Sequence, residues 1–159
     1  MYRVQFDKIG KAGEQVYLKK VANINTINEN EILIEVICFP INPADILLVE
    51  GKYANKPKLP SLMGAECIAR VKKIGNNIRK FKLGDMVLPL IRDNWVEEKI
   101  VTENDIIKLP YNIDVEQACM LKVNPATAYL MLNNYVKVKQ GDFIIPVSYT
   151  HLTLPTTGI

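Results

Sequence analysis

Ile41-Asn42-Pro43-Ala44-Asp45-Ile46, followed by Gly51-Lys52-Tyr53, is the stretch on which the reading of the fold turns. It comes directly after Ile32 to Phe39, a run that is apolar nearly throughout and rich in β-branched residues, as a buried strand should be. Pro40 ends that strand. Asn42 then reads as a helix N-cap, and Pro43 suits the first helical position, where no N–H is needed. Asp45 can reach back to the helix start in the manner of a capping box. The short helix is expected to end near Glu50, with Gly51 free to take the left-handed turn. Lys52 to Ser61 holds Pro57 and Pro60 and reads as a loop.

Working outward, Met1 to Phe6 and Glu14 to Val21 read as paired strands around a Gly10 turn. Glu66 to Ile74, Asp85 to Leu90 and Trp95 to Val101 read as three more, separated by turns at Gly75-Asn76-Asn77 and Gly84-Asp85. Many short strands around one short helix suit a compact barrel-like domain. The pattern then changes. Val115 to Leu121 and Asn124 to Tyr135 have helical spacing, and Phe143-Ile144-Ile145 reads as the opening of a buried strand. A shift from β-rich to alternating helix and strand is what entry into a doubly wound nucleotide domain looks like.

The chain has 159 residues, of which 48% are hydrophobic and 23% charged, so one domain with a real core is within reach. The net charge of +3 is scattered and forms no basic stripe, so no nucleic-acid partner is expected. No apolar run approaches bilayer-spanning length, and no membrane partner is expected. Met1 leads straight into a strand-like segment, so no secretory signal is expected, and the expected compartment is cytoplasmic. Cys38, Cys67 and Cys119 are odd in number, widely spaced and set among apolar neighbours, which suits buried reduced thiols. No C-x-x-C pair is present to build a structural zinc lobe.

Gly64-Ala65-Glu66, Val71-Lys72-Lys73-Ile74-Gly75 and Lys82-Leu83-Gly84-Asp85-Met86-Val87 resemble the Gly-His-Glu, Val-Gly and Gly-Asp-x-Val signature of the medium-chain dehydrogenase/reductases. Ala65 stands where the alcohol dehydrogenases of that group carry a zinc-binding histidine, and the Ile41–Ile46 segment holds no cysteine to serve as their second ligand. A catalytic zinc needs three protein ligands and an open position. Asp45 and Glu66 alone cannot supply them, so no metal is expected. Gly51-Lys52-Tyr53 and Val123-Asn124-Pro125-Ala126-Thr127-Ala128-Tyr129 narrow the resemblance to the zinc-free branch, and within it to the 2-enoyl thioester reductases of fatty-acid synthesis. Lys122 departs from the glycine usual before the second motif.

The resemblance runs from about Tyr2 to Ile145. It implies a mainly β fold with some α: a GroES-like β-barrel catalytic domain over residues 1–114, then the truncated start of a Rossmann α/β domain over residues 115–146. It implies NADPH as cofactor, with Asn124 and Asn42 beside it, and an enoyl-CoA or enoyl-ACP thioester as substrate. It also implies a homodimer for the intact family protein. Tyr53 takes the role of acid. That suits the residue, because a phenol keeps its proton at neutral pH, its unperturbed pKa being roughly 10. Asn42 and Asn124 also have a plain structural role as helix-start residues, and Tyr53 has one as a loop aromatic packed over the barrel.

Two other readings compete: a quinone oxidoreductase of the same zinc-free branch, which would not need Tyr53 as an acid, and a non-catalytic barrel fragment. The family's glycine-rich phosphate loop has no counterpart after Phe143, so this chain is expected to bind NADPH poorly on its own. Val147 to Thr157 resembles a translated sequencing-library adapter, and residues 147–159 are expected to be a non-native tail, His151 among them.

Overall fold

A computed structural model of the chain describes residues 1–54 and 56–145. The expected tail at residues 147–159 lies outside the described residues. Among the described residues eight strands and four short α-helices follow in chain order: β1 (Tyr2–Phe6), α1 (Ala12–Gln15), β2 (Val16–Lys20), β3 (Ile32–Cys38), α2 (Pro43–Val49), β4 (Ser61–Leu62), β5 (Ile68–Ile74), β6 (Met86–Pro89), β7 (Glu98–Val101), β8 (Ile106–Lys108), α3 (Val115–Ala118) and α4 (Asn124–Leu130). The fold is mainly β with a few short helices.

The strands form two antiparallel sheets, β2-β1-β4 and β7-β3-β5-β6-β8. β3 sits inside the larger sheet, paired with β5 on one side and β7 on the other. Its first three residues are buried, and after Ile34 the strand is only partly covered. Two register shifts against β5, at Leu33/Ile34 and Val36/Cys38, bend it at these points. A bridge between Arg3 and Val96, with the Val4 N–H donating to the Trp95 carbonyl at 2.8 Å, joins the smaller sheet to the larger.

Ile32, Ile34, Ala69, Val71, Val87, Val101 and Ile106 pack as one apolar cluster inside the larger sheet. Phe6, Leu48, Val49, Met63 and Trp95 form a second between β1 and α2. Each large side chain so buried contributes about 1.5–3 kcal/mol relative to exposure. A third, smaller cluster joins Ile68 and Met86 to Ala118 and Cys119, and it is how α3 is attached to the barrel.

Several expected elements are shorter than their sequence patterns. Glu14 and Gln15 belong to the single turn of α1 and not to the following strand. The helix expected over Val115–Leu121 ends at Ala118. The one expected over Asn124–Tyr135 is α-helical only to Leu130, and Met131–Tyr135 widens into a π-type turn. Phe143-Ile144-Ile145 is not a strand. All three side chains are exposed, because no neighbouring strand among the described residues offers them a hydrogen-bonded edge. Among the described residues no helix is long and apolar enough to cross a membrane.

Candidate active site

The start of α2 is built as its sequence suggests. The Asn42 N–H donates to Asp45 Oδ2 at 3.1 Å, the return half of a capping box, and Pro43 occupies the first turn. Gly51 has φ +69°, closing the helix in the left-handed turn that glycine takes most readily. Asn42 is buried, and it does more than start the helix. Its Nδ2 donates to Glu66 Oε1 at 3.0 Å.

Glu66 is the hub of the site. It has no exposed surface, and its other oxygen, Oε2, accepts the Val123 N–H at 2.8 Å. One carboxylate thus ties the segment that presents Asn42 to the segment that presents Asn124, the first residue of α4. A buried carboxylate is tolerated only when its oxygens are engaged in this way. Lys122 reinforces the tie. Its ammonium donates to the carbonyls of Ala65 (2.6 Å) and Ile91 (2.9 Å). Burial pushes the Lys122 pKa down and Arg92 pushes it the same way, against the opposing pull of Glu66 and Asp45. This chain therefore puts a cation against the backbone of Ala65.

Asp45 is only half satisfied by hydrogen bonds. It is fully buried, and Oδ1 has no hydrogen-bond partner among the described residues. Arg92 Nη2 stands 3.9 Å from that oxygen. Burial raises the Asp45 pKa above the usual carboxylate value, with the Asn42 N–H and Arg92 opposing the shift. The same guanidinium lies 5.8 Å from the centre of the Tyr53 ring, within cation–π range. Arg92 therefore links the capping carboxylate to the tyrosine.

Tyr53 is half-buried. It packs its ring against the second apolar cluster, and its N–H donates to the Leu47 carbonyl at 3.1 Å. It lines a cleft of about 210 Å³ with Leu48, Lys56, Ser61 and Arg92. Larger clefts elsewhere among the described residues, of about 610, 460 and 260 Å³, contain none of Asn42, Tyr53 or Asn124. Asn124 is half-exposed at the start of α4.

The family model of the alcohol dehydrogenase GroES-like domain matches residues 28–110, just over half of the chain. The chain belongs to the alcohol dehydrogenase GroES-like family. Within it, the chain is 33% identical over 144 residues to the mitochondrial enoyl-[acyl-carrier-protein] reductase of Dictyostelium discoideum, covering 87% of this chain and 41% of the relative. It thus spans about two-fifths of the length of such curated relatives. The mitochondrial 2-enoyl thioester reductase of Candida tropicalis superposes with a TM-score of 0.78 at 27% identity, covering 87% of this chain and 44% of that one. A reductase of this type has been solved with NADP and crotonyl-CoA, at a TM-score of 0.76 and 26% identity. Escherichia coli quinone oxidoreductase in complex with NADPH superposes with a TM-score of 0.76 at 27% identity, covering 87% of this chain and 42% of that one.

The structure thus brings Asn42 and the Asn124 segment together on Glu66, and joins Asn42 to Tyr53 through Asp45 and Arg92. Glu66, Arg92 and Lys122 are the members that the sequence did not single out for this work. The Glu66 signal was present, as a lone acid leading into an apolar strand. The contacts of Arg92 and Lys122 are made across the fold, and no local pattern announces them. The expected cytoplasmic compartment gains no support from the curated relatives, whose names place them in mitochondria.

Proposed function

We propose that this chain is the catalytic barrel of an NADPH-dependent 2-enoyl thioester reductase, with Tyr53 as the acid and Asn42 and Asn124 facing the cofactor. The observation that carries the reading is the Glu66 carboxylate, which holds the two asparagine-bearing segments together at 3.0 and 2.8 Å. The donor set suits the group. Asparagine side chains offer both amide donors and carbonyl acceptors, the complement of the nicotinamide's own carboxamide. When bound, the dihydronicotinamide supplies hydride to the β-carbon of the substrate. The protein's share is positioning and proton supply. Tyr53 Oη gives its proton to the α-carbon, directly or through one water. Arg92 holds positive charge beside the ring while negative charge develops on the substrate. Leu48 and the apolar cluster behind Tyr53 keep that side of the cleft dry.

The curated relatives are named for enoyl-acyl-carrier-protein reduction, and the complex with crotonyl-CoA supports a thioester as the class of substrate. A quinone as oxidant is the second reading, because the quinone oxidoreductase superposes about as well as the thioester reductase. The full product of the gene should oxidise NADPH with a crotonyl thioester and do so poorly with a simple quinone. Turnover with the quinone and none with the thioester would replace the first reading by the second.

A further inference from the structure

We propose that Cys38 and Cys119 form an oxidation site, a pair of thiols that a small disulfide of the glutathione class converts into an intramolecular disulfide. The two sulfurs lie 3.5 Å apart although 81 positions separate them in the chain. A disulfide needs about 2.05 Å between its sulfurs, so they must close by roughly 1.5 Å. Cys38 ends β3 and packs against the small cluster that contains Cys119. Cys119 follows directly on α3, with its thiol donating to the Glu116 carbonyl at 3.0 Å.

The two thiols differ in access, and that sets the order of events. Cys38 is partly exposed, while Cys119 is buried and its thiol is pushed up to about 12 by burial and by the neighbouring sulfur. Cys38 therefore reacts first. Its thiolate attacks one sulfur of the small disulfide, a mixed disulfide forms at Cys38, and one small thiolate leaves. Cys119 then loses its proton and attacks the Cys38 sulfur, and the second small thiolate leaves. In sum, two protein thiols are oxidised, one small disulfide is reduced to two thiols, and the two protons end on the departing sulfurs. The high pKa of the second thiol makes this exchange slow. Cys67 has no exposed surface, and burial pushes its thiol up to about 12, so it stays out of the reaction.

The position of the pair gives the bond a consequence. Asn42 follows Cys38 by four positions, and Asn124 follows Cys119 by five. A disulfide would staple together the two segments that Glu66 already joins by hydrogen bonds. It would thus fix the spacing of the two asparagines in the proposed cofactor site. Only this consequence rests on the proposed function, since the thiol chemistry is read without any activity.

The test uses the full 159-residue chain, folded, treated with oxidised glutathione. Thiol titration should show loss of two of the three thiols. Peptide mass mapping should show Cys38 joined to Cys119, lighter by two hydrogens and free of glutathione. Amide exchange at Val123 should slow by about tenfold or more, since a tethered segment opens less often. Cys67→Ser should leave the reaction intact, and Cys38→Ser should abolish it. The oxidation site is overturned if Cys38 stops at the glutathione adduct, if Cys67 is found in the link, or if the link forms only in denaturant. A disulfide that leaves Val123 exchange unchanged would overturn its positioning consequence.

Discussion

The barrel and the segment that follows it handle their apolar residues in opposite ways. In the barrel, Phe6, Ile32 and Ile34 have no exposed surface. In α4 and the turn after it, Tyr129 is 66% exposed, Met131 49% and Tyr135 81%. The first region closes a core with its own strands. The second is tied to the barrel by α3, Lys122 and the Val123 N–H, and among the described residues it leaves much of its apolar side uncovered. The site lies where the two meet. The barrel therefore supplies the stability, and the second region supplies one wall of the proposed cofactor site at little energetic gain for the chain.

The sharpest way to break this contrast is to cut into the barrel core. Ile34→Ala should destabilise the chain by about 2–5 kcal/mol, because the lost burial and the cavity add. Urea unfolding followed by circular dichroism reads this directly. A cost under 1 kcal/mol would mean that the barrel is not the stable unit.

Glu66→Gln acts at the joint between the regions. The amide keeps one acceptor but turns an NH₂ group toward the Asn42 amide or the Val123 N–H. The expected cost is about 1–3 kcal/mol. Exchange at Val123 should accelerate more than exchange at Val71 inside β5. Equal acceleration at both would show that Glu66 serves the barrel as a whole and not the joint.

Acid should reveal two carboxylates of opposite sign. Burial pulls the Asp85 pKa up, but the Lys108 ammonium at 2.7 Å and the Lys82 N–H more than offset it, so its folded value lies below the ordinary 3.8. Its stabilising contribution is present above that ordinary value and lost as pH falls through the folded one. Asp45, raised by burial, behaves conversely: its protonation favours the fold, and that contribution fades as pH rises through its folded pKa. Asp85→Asn should therefore flatten the loss of stability below about pH 4, and Asp45→Asn should remove the gain in stability that falling pH brings above about pH 4, between the ordinary carboxylate value and the raised folded one. Unfolding midpoints across pH 2.5–6, each variant against the parent, check both signs.

At the small end, Met131→Ala should change stability by no more than about 0.5 kcal/mol, as exposed positions usually do. A cost above 2 kcal/mol would show that the second region is packed after all.

The same contrast explains what the sequence disclosed. The start and stop of α2 were legible because Asn42, Pro43, Asp45 and Gly51 act within one short stretch, and local chemistry leaves a local pattern. The barrel was legible as a set of strands, although β4 and β8 were missed, being two and three residues long. The second region was over-read. Helical spacing over Asn124–Tyr135 and the apolar Phe143–Ile145 promise regular structure, but a strand forms only beside another strand. Asn42, Tyr53 and Asn124 were each nominated from a motif. How they are joined was not legible, because Glu66, Arg92 and Lys122 reach their partners across the fold.

The most direct test of the proposed chemistry is the rate of NADPH oxidation with a crotonyl thioester by the full gene product, before and after Tyr53→Phe. Loss of an acid of this kind should lower kcat by about a hundredfold or more, with the unfolding midpoint unchanged. An unaltered rate in a folded variant would remove Tyr53 from the reaction and leave it as an aromatic packed over the barrel.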